Sequence, residues 1–216
     1  TSEPAWRNHW NNEGSIPDYS HVQRQFEAFF AAGHFDELLE LGDLLWREGS
    51  TQVDQSDDDG ESATDIGECL EVVIDAVPKS SLPRPQQLLW LIERRLSDEF
   101  GLLDGGGRVL ESKEYRREDW QVVATALEER LQAKTVSKTA NSSENYSRQE
   151  LVNCLLDAYQ RAGLSECIQP LLEAEVERCC NYEQLVRHLL QAGNRDLARQ
   201  WCIRGFNATI EQSPGL

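Results

Sequence analysis

Histidine and acidic side chains are the first candidates for chemistry in this chain. His34 lies in a predicted turn and His188 on a predicted helix face, and neither has a serine, cysteine or acid nearby in a recognisable motif. The sequence contains no P-loop, GxSxG, HExxH or dinucleotide fingerprint. Acid pairs such as Glu37 and Glu40 are simpler to interpret as solvated helix faces. We therefore predict no catalytic residue and no cofactor, with an enzyme assembled from distant residues as the weaker alternative.

The six cysteines, at 69, 154, 167, 179, 180 and 202, form no CxxC pair. Most fall in apolar helical registers, where cysteine behaves as a small hydrophobic residue. We interpret them as reduced core residues of a cytoplasmic protein. Zinc at the adjacent pair Cys179 and Cys180 would need ligands from elsewhere. We predict no metal site, and the role of this pair stays open.

The acidic loop around Gly60 suggests calcium at first sight. An EF-hand frame with this glycine at position six places Gln55 at position one and Ile66 at position twelve, so both ligand positions fail. The sequence instead predicts a solvated loop that leads into a helix capped by Ser62 or Thr64.

The net charge of −17, from 38 acidic and 21 basic residues, argues against direct binding to nucleic acid, because phosphates are repelled by an acidic surface. This charge suits a basic partner, although a solvated acidic surface is the commoner reason for it. No apolar run approaches the roughly 20 residues that span a bilayer, so we predict no membrane association. The chain starts at Thr1 without a secretory signal and contains no methionine, and we interpret it as a processed product or a fragment.

Three copies of the pattern Ala-Gly-x-x-acid-x-apolar, with glycines at 33, 163 and 193, indicate how the elements are arranged. Glycine suits the left-handed residue that ends a helix, and an acid in the next first turn favours a new helix. This is the pattern of helical hairpins, and it loosely resembles the turn of tetratricopeptide repeats. We predict an all-α protein of antiparallel helical hairpins stacked into an α–α superhelix.

Hydrophobic periodicity predicts nine helices and no strand. The second helix is predicted over 36–48, with Leu41 and Leu44 inside and Gly49 as its terminator. A break is predicted at the glycines 105–107, and a capping box is predicted to start the sixth helix at Ser147. Further expectations are helices at 18–32, 64–77 and 117–133, a cap at Asn181, and a last helix that contains Cys202 and Phe206.

The polar stretch 134–146 is the best linker in the chain. It divides the sequence into an N-terminal helical-hairpin part, residues 1–133, and a C-terminal tetratricopeptide-like part, residues 147–216. The two parts are also compatible with one continuous solenoid.

Trp46 and Trp90 lie beside apolar helix stripes that other residues already complete. Trp6 and Trp10 lie outside the predicted helices. Exposed tryptophans are frequent anchors of protein interfaces. We therefore predict Trp46 and Trp90 as partner-binding residues, the alternative being that all six tryptophans are core.

Three strings carry a resemblance to a known family: IPDYSHVQRQFEAFFAAGHFDELLELG, WLIERRLSDEFGLL and YEQLVRHLLQAGNRDLARQWCIRGFNAT. They resemble the region downstream of the zinc finger in bacterial SWIM zinc-finger proteins. The CxC…CxH zinc ligands of that family do not occur in this chain. The resemblance implies a helical accessory region without catalysis, next to a module associated with binding DNA or protein.

The function predicted from these features is a non-catalytic helical scaffold that binds a protein partner or the upstream part of its parent chain. The alternative is a DNA-associated accessory module that acts together with the missing zinc finger.

Overall fold

The computed structural model describes residues 18–56, 60–133 and 142–212, with the backbone alone for 142–144 and 209–212. Within these residues the chain is all-α, as predicted, and contains ten α-helices and no strand. The helices are α1 Ser20–Ala32, α2 Phe35–Asp54, α3 Glu61–Ala76, α4 Arg84–Arg95, α5 Gly106–Leu110, α6 Arg117–Ala133, α7 Ser142–Ala162, α8 Ile168–Cys179, α9 Tyr182–Gln191 and α10 Arg195–Gln212.

The three predicted glycine turns are confirmed. Gly33, Gly163 and Gly193 have φ angles of 81°, 74° and 79°, in the left-handed region. At the last copy, the amide of Asn194 donates to the Leu189 carbonyl at 2.8 Å and the amide of Gly193 donates to the Leu190 carbonyl at 3.1 Å. The first two turns have the same pair of hydrogen bonds. This is a Schellman motif, and it satisfies carbonyls that would otherwise lack partners at the helix end.

Replacement of Gly193 by alanine should therefore destabilise the second half of the chain by about 1–2 kcal/mol. The space around this residue is open, so the cost comes from the backbone conformation alone. Thermal or urea unfolding measures it. Gly193→Asn is the matched control, since asparagine tolerates the left-handed region, and it should cost clearly less than alanine. Equal losses in the two variants would contradict this explanation.

The chain divides after Tyr115 into two compact units. In the first unit, α3 lies at the centre and contacts α1, α2 and α5. Its apolar side chains are fully buried, Ile66, Leu70, Val73 and Ile74 among them. With six buried apolar residues, α3 contributes more to the core of the first unit than any other helix does.

Two glycines within α2 allow α3 to approach it closely. A methyl group on Gly42 would overlap the Val73 side chain, and one on Gly49 would lie 3.1 Å from Ile66. Because the earlier glycine faces the later residue of α3, the two helices run antiparallel. The seven-residue spacing on both helices keeps these contacts along one seam.

In the second unit, consecutive helices contact each other in chain order from α6 to α10. Arg148 near the start of α7 pairs with Glu175 near the end of α8, and Tyr182 at the start of α9 lies against Gly205 of α10. Both pairs are therefore antiparallel hairpins. The predicted cap of α9 is confirmed, since the Asn181 side chain accepts a hydrogen bond from the Gln184 amide at 3.3 Å.

Several predicted helix ends were wrong. Helix α2 continues through Gly49 to Asp54, because a buried glycine in close contact with a neighbouring helix does not break the chain. The residue before α3 is Gly60 in a left-handed conformation, with no side-chain cap. The predicted break at 105–107 contains the start of α5, and α7 begins at Ser142 instead of at Ser147.

The predicted linker 134–146 lies mostly outside the described residues. The boundary between the two compact units of the structure lies after Tyr115. As a result α6, which the sequence assigned to the first part, lies in the second unit. There it contacts α7, and the Tyr159 hydroxyl donates a hydrogen bond to Glu128 at 2.6 Å.

Candidate interaction site

Trp46 and Trp90, the predicted partner-binding residues, both lie in the first unit, on α2 and α4. Each is half-buried. The indole Nε1 of Trp46 is buried and has no hydrogen-bond partner within the described part of the chain. Neither side chain presents the fully exposed aromatic surface that marks an unoccupied anchor, and their role in binding stays a prediction.

An ion pair between α2 and α4 covers the ring of Trp90. The Arg94 guanidinium donates to both carboxylate oxygens of Asp43, at 2.5 and 2.6 Å, and lies 4.0 Å from the centre of the Trp90 ring. A cation on an aromatic face and a bidentate carboxylate pair both stabilise the folded chain. The Trp90 ring therefore packs against the arginine that joins α2 and α4.

Two of the cysteine thiols have strongly raised pKa values. Burial raises the pKa of the Cys69 thiol to about 11, and it raises the pKa of the Cys179 thiol to about 11 as well. Thiols in this state are poor nucleophiles at neutral pH. The prediction that the cysteines are core residues was wrong for Cys180 and Cys202, which are exposed. Within the described ranges, no group of three or more histidine, cysteine or acidic side chains could hold a metal ion.

A groove with a volume of about 350 Å³ lies between α1 and α3 of the first unit. We call it the acidic groove. It is lined by Gln23, Glu27 and Phe30 of α1 and by Glu68, Glu71, Val72 and Asp75 of α3. On each helix these residues recur at helical spacing, so they form two facing rows. Four carboxylates therefore surround an apolar floor.

Two basic residues of the chain already lie at one end of the acidic groove. Arg108 donates hydrogen bonds to Glu71 and, at 2.9 Å, to Asp75. The Lys79 ammonium lies 4.0 Å from the centre of the Phe30 ring. The lining thus interacts with cations in two ways, through paired carboxylates and through an aromatic face.

The remaining two carboxylates, Glu27 and Glu68, are exposed. Over the residues that the structure describes, neither has a basic side chain within ion-pair distance. The lining of the groove therefore keeps two carboxylates that no described basic side chain pairs with.

A second exposed feature lies on the last hairpin. Leu190 of α9 and Ile203 and Phe206 of α10 are 54%, 53% and 66% exposed. Phe206 and Cys202 lie in the last helix, as predicted, and both are exposed. Helix α10 is buried instead through Ala198 and Gly205, since small residues allow its backbone to lie close to α9.

Sequence reasoning missed the acidic groove because it depends on contact between α1 and α3, which are not consecutive. Phe30 of α1 is half-buried and lies in the lining of this groove. The available signal was the spacing of Glu68, Glu71 and Asp75, which places three acids on one face of α3 beside Val72. On its own that pattern is typical of a solvated helix face.

No protein-family model, curated protein or solved structure matches this chain. None of the described helices is both long enough and apolar enough to cross a membrane.

Proposed function

We propose that this chain is a non-catalytic protein-interaction region and that the acidic groove is its binding surface. The observation that carries the proposal is the combination of an apolar floor, formed by Phe30 and Val72, with the uncompensated carboxylates Glu27 and Glu68. An apolar base supplies burial, and charged groups around it supply orientation and selectivity.

The protonated state of the buried thiols and the lack of any catalytic motif favour binding over catalysis. The acidic charge of the chain disfavours nucleic acid as the occupant. The occupant in this proposal is a protein partner or the upstream part of the same parent chain, and the location is the cytoplasm.

We also propose that the chain belongs to a larger SWIM zinc-finger-like protein, as its helical region downstream of the finger. The support for this is the three sequence strings alone. In that setting the chain acts as a scaffold beside the zinc module.

A photo-cross-linker at the floor of the groove tests the proposed function. We expect p-benzoylphenylalanine in place of Val72 to form a protein adduct of discrete size in a lysate of the source organism. Excess unlabelled chain should suppress this adduct. Val122 of α6 is the matched control, because it is a 50% exposed valine of the second unit that is not part of the groove. Identical adducts from the two positions, or none from Val72, would exclude the groove as the binding surface.

A further inference from the structure

We infer that this chain associates with a second copy of itself, the outer face of α10 in one copy docking on the outer face of α2 in the other. Both faces are exposed, partly apolar and opposite in charge. Neither of them contributes a residue to the acidic groove, so the contact goes beyond the proposed function.

The face on the last helix, which we call the α10 row, consists of the exposed residues Arg199, Ile203 and Phe206. They follow one another at four and then three positions, so they share one side of the helix. The buried residues Ala198 and Gly205 lie on another side, toward the rest of the unit. Among the described residues, no acidic side chain lies within ion-pair distance of Arg199. On the preceding turn, Arg195 and Asp196 carry opposite charges.

The face on the second helix, which we call the α2 row, consists of the exposed residues Glu37, Leu41, Leu44 and Glu48. Their spacing of four, three and four positions again defines one side of a helix. The glycines Gly42 and Gly49 lie on the other side, against α3. Glu37 lies 3.4 Å from the Nδ1 atom of His34, and Glu48 has no basic partner within ion-pair distance in the described part of the chain. An exposed apolar pair thus lies between two carboxylates.

The two rows are complementary in spacing as well as in charge. In the α10 row, Arg199 is followed by apolar residues four and seven positions later, and the α2 row has an acid at four positions from either end of its apolar pair. When the apolar pairs are set against each other, Arg199 falls opposite Glu37 if the helices run parallel and opposite Glu48 if they run antiparallel. Apolar contact supplies burial, and the ion pair selects the register.

The distribution of charge along the chain favours contact between unlike units of two copies. Residues 1–115 carry 24 acidic and 9 basic side chains, whereas residues 116–216 carry 14 and 12. Two first units therefore repel each other, while the nearly neutral second unit of one copy can approach the first unit of another. Because the two faces differ, a pair of copies keeps one free row of each kind, and further copies can add head to tail.

Sedimentation velocity of the full chain at physiological ionic strength tests this contact. The weight-average mass should rise with concentration, measured up to about 1 mM so that a millimolar dissociation constant is detected. Leu44→Asp and Phe206→Asp should each give a single copy, since each variant lacks one row. An equal mixture of these two variants should form pairs and nothing larger, because one intact row of each kind remains. Val122→Asp is the matched control at an exposed residue outside both rows and should associate like the unsubstituted chain.

Charge reversal tests the ion pair separately. Arg199→Glu should weaken association about fivefold. Addition of Glu37→Arg to the same chain should restore it if the helices run parallel, and addition of Glu48→Arg should restore it if they run antiparallel. Glu129→Arg makes the same change in net charge at an exposed position outside both rows and should restore nothing.

A mass that stays that of one copy at every concentration would overturn the inference. A mixture of Leu44→Asp and Phe206→Asp that forms no pairs would overturn it too, as would equal recovery with Glu129→Arg, which would show a response to net charge alone. All substituted residues are exposed, so the variants should keep the unfolding temperature of the unsubstituted chain. If an aspartate variant loses its fold, the charge reversals decide the result.

Discussion

Replacement of Glu175 by leucine should destabilise the second unit by about 3–5 kcal/mol, because it removes the carboxylate that forms two hydrogen bonds with a buried arginine. Arg148 donates to both carboxylate oxygens of Glu175, at 2.6 and 2.9 Å, and the two side chains are only 10% and 6% exposed. Arg178 adds a third hydrogen bond at 2.8 Å. Denaturant unfolding of the variant and of the unsubstituted chain measures the loss.

The double variant Arg148→Met with Glu175→Leu separates the two contributions to this loss. Two apolar side chains of similar volume remove both buried charges of the pair, so most of the lost stability should return. If the double variant is as unstable as Glu175→Leu alone, the loss comes from packing and the explanation by charge is wrong.

The same pair predicts how stability depends on pH. Burial acts to raise the pKa of Glu175, but the hydrogen bonds and charges of Arg148 and Arg178 outweigh burial and hold the pKa below its ordinary value. A carboxylate with a lowered folded-state pKa stabilises the fold above its unfolded pKa, and this contribution disappears as the pH falls through the folded pKa. The difference in stability between the unsubstituted chain and Glu175→Leu should therefore be full at pH 7 and shrink below about pH 4.

The second large effect is expected at the contact between α2 and α3. Gly42→Leu should cost about 3 kcal/mol, the upper part of the range for an overfilled core. Even a methyl group at this position overlaps Val73, and that side chain is fully buried and stiff. Unfolding of the variant by urea gives the value, provided that a cooperative transition persists.

Gly107→Leu is the matched control for this prediction. It makes the same change in the same unit, at a helical glycine where an added methyl group would have no atom within 4 Å. We expect its effect on the free energy of unfolding to stay within about 1 kcal/mol. Comparable losses at the two glycines would contradict the close approach of α2 and α3.

Local features of the sequence predicted much of the fold. The glycine turns and the Asn181 cap depend on residues within one or two helical turns, and helix α6 has the predicted ends. The errors in α2 have a different origin. Leu41 and Leu44 were placed inside but are 37% and 47% exposed, because the packing face of this helix includes Gly42 and Gly49.

An analysis of hydrophobic periodicity does not count glycine as an apolar residue. It therefore missed the face of α2 on which glycines, because they lack side chains, allow a neighbouring helix to approach closely. The acidic groove could not be predicted for a related reason. Whether Glu27 faces solvent or an apposed row of acids depends on how α1 and α3 pair, and the sequence of either helix does not contain that information.

The chain-order contacts of α6 to α10 have a consequence for how the second unit loses its structure. When each helix packs mainly against its two neighbours, the free energy of unfolding is approximately a sum of contributions from single helices and from the interfaces between neighbours. Parts of the unit can then unfold separately. The last hairpin has one neighbouring helix fewer than the inner ones. Opening can thus begin at α10 and proceed inward, so that slow hydrogen exchange at Leu155 of α7 would coexist with fast exchange in α10.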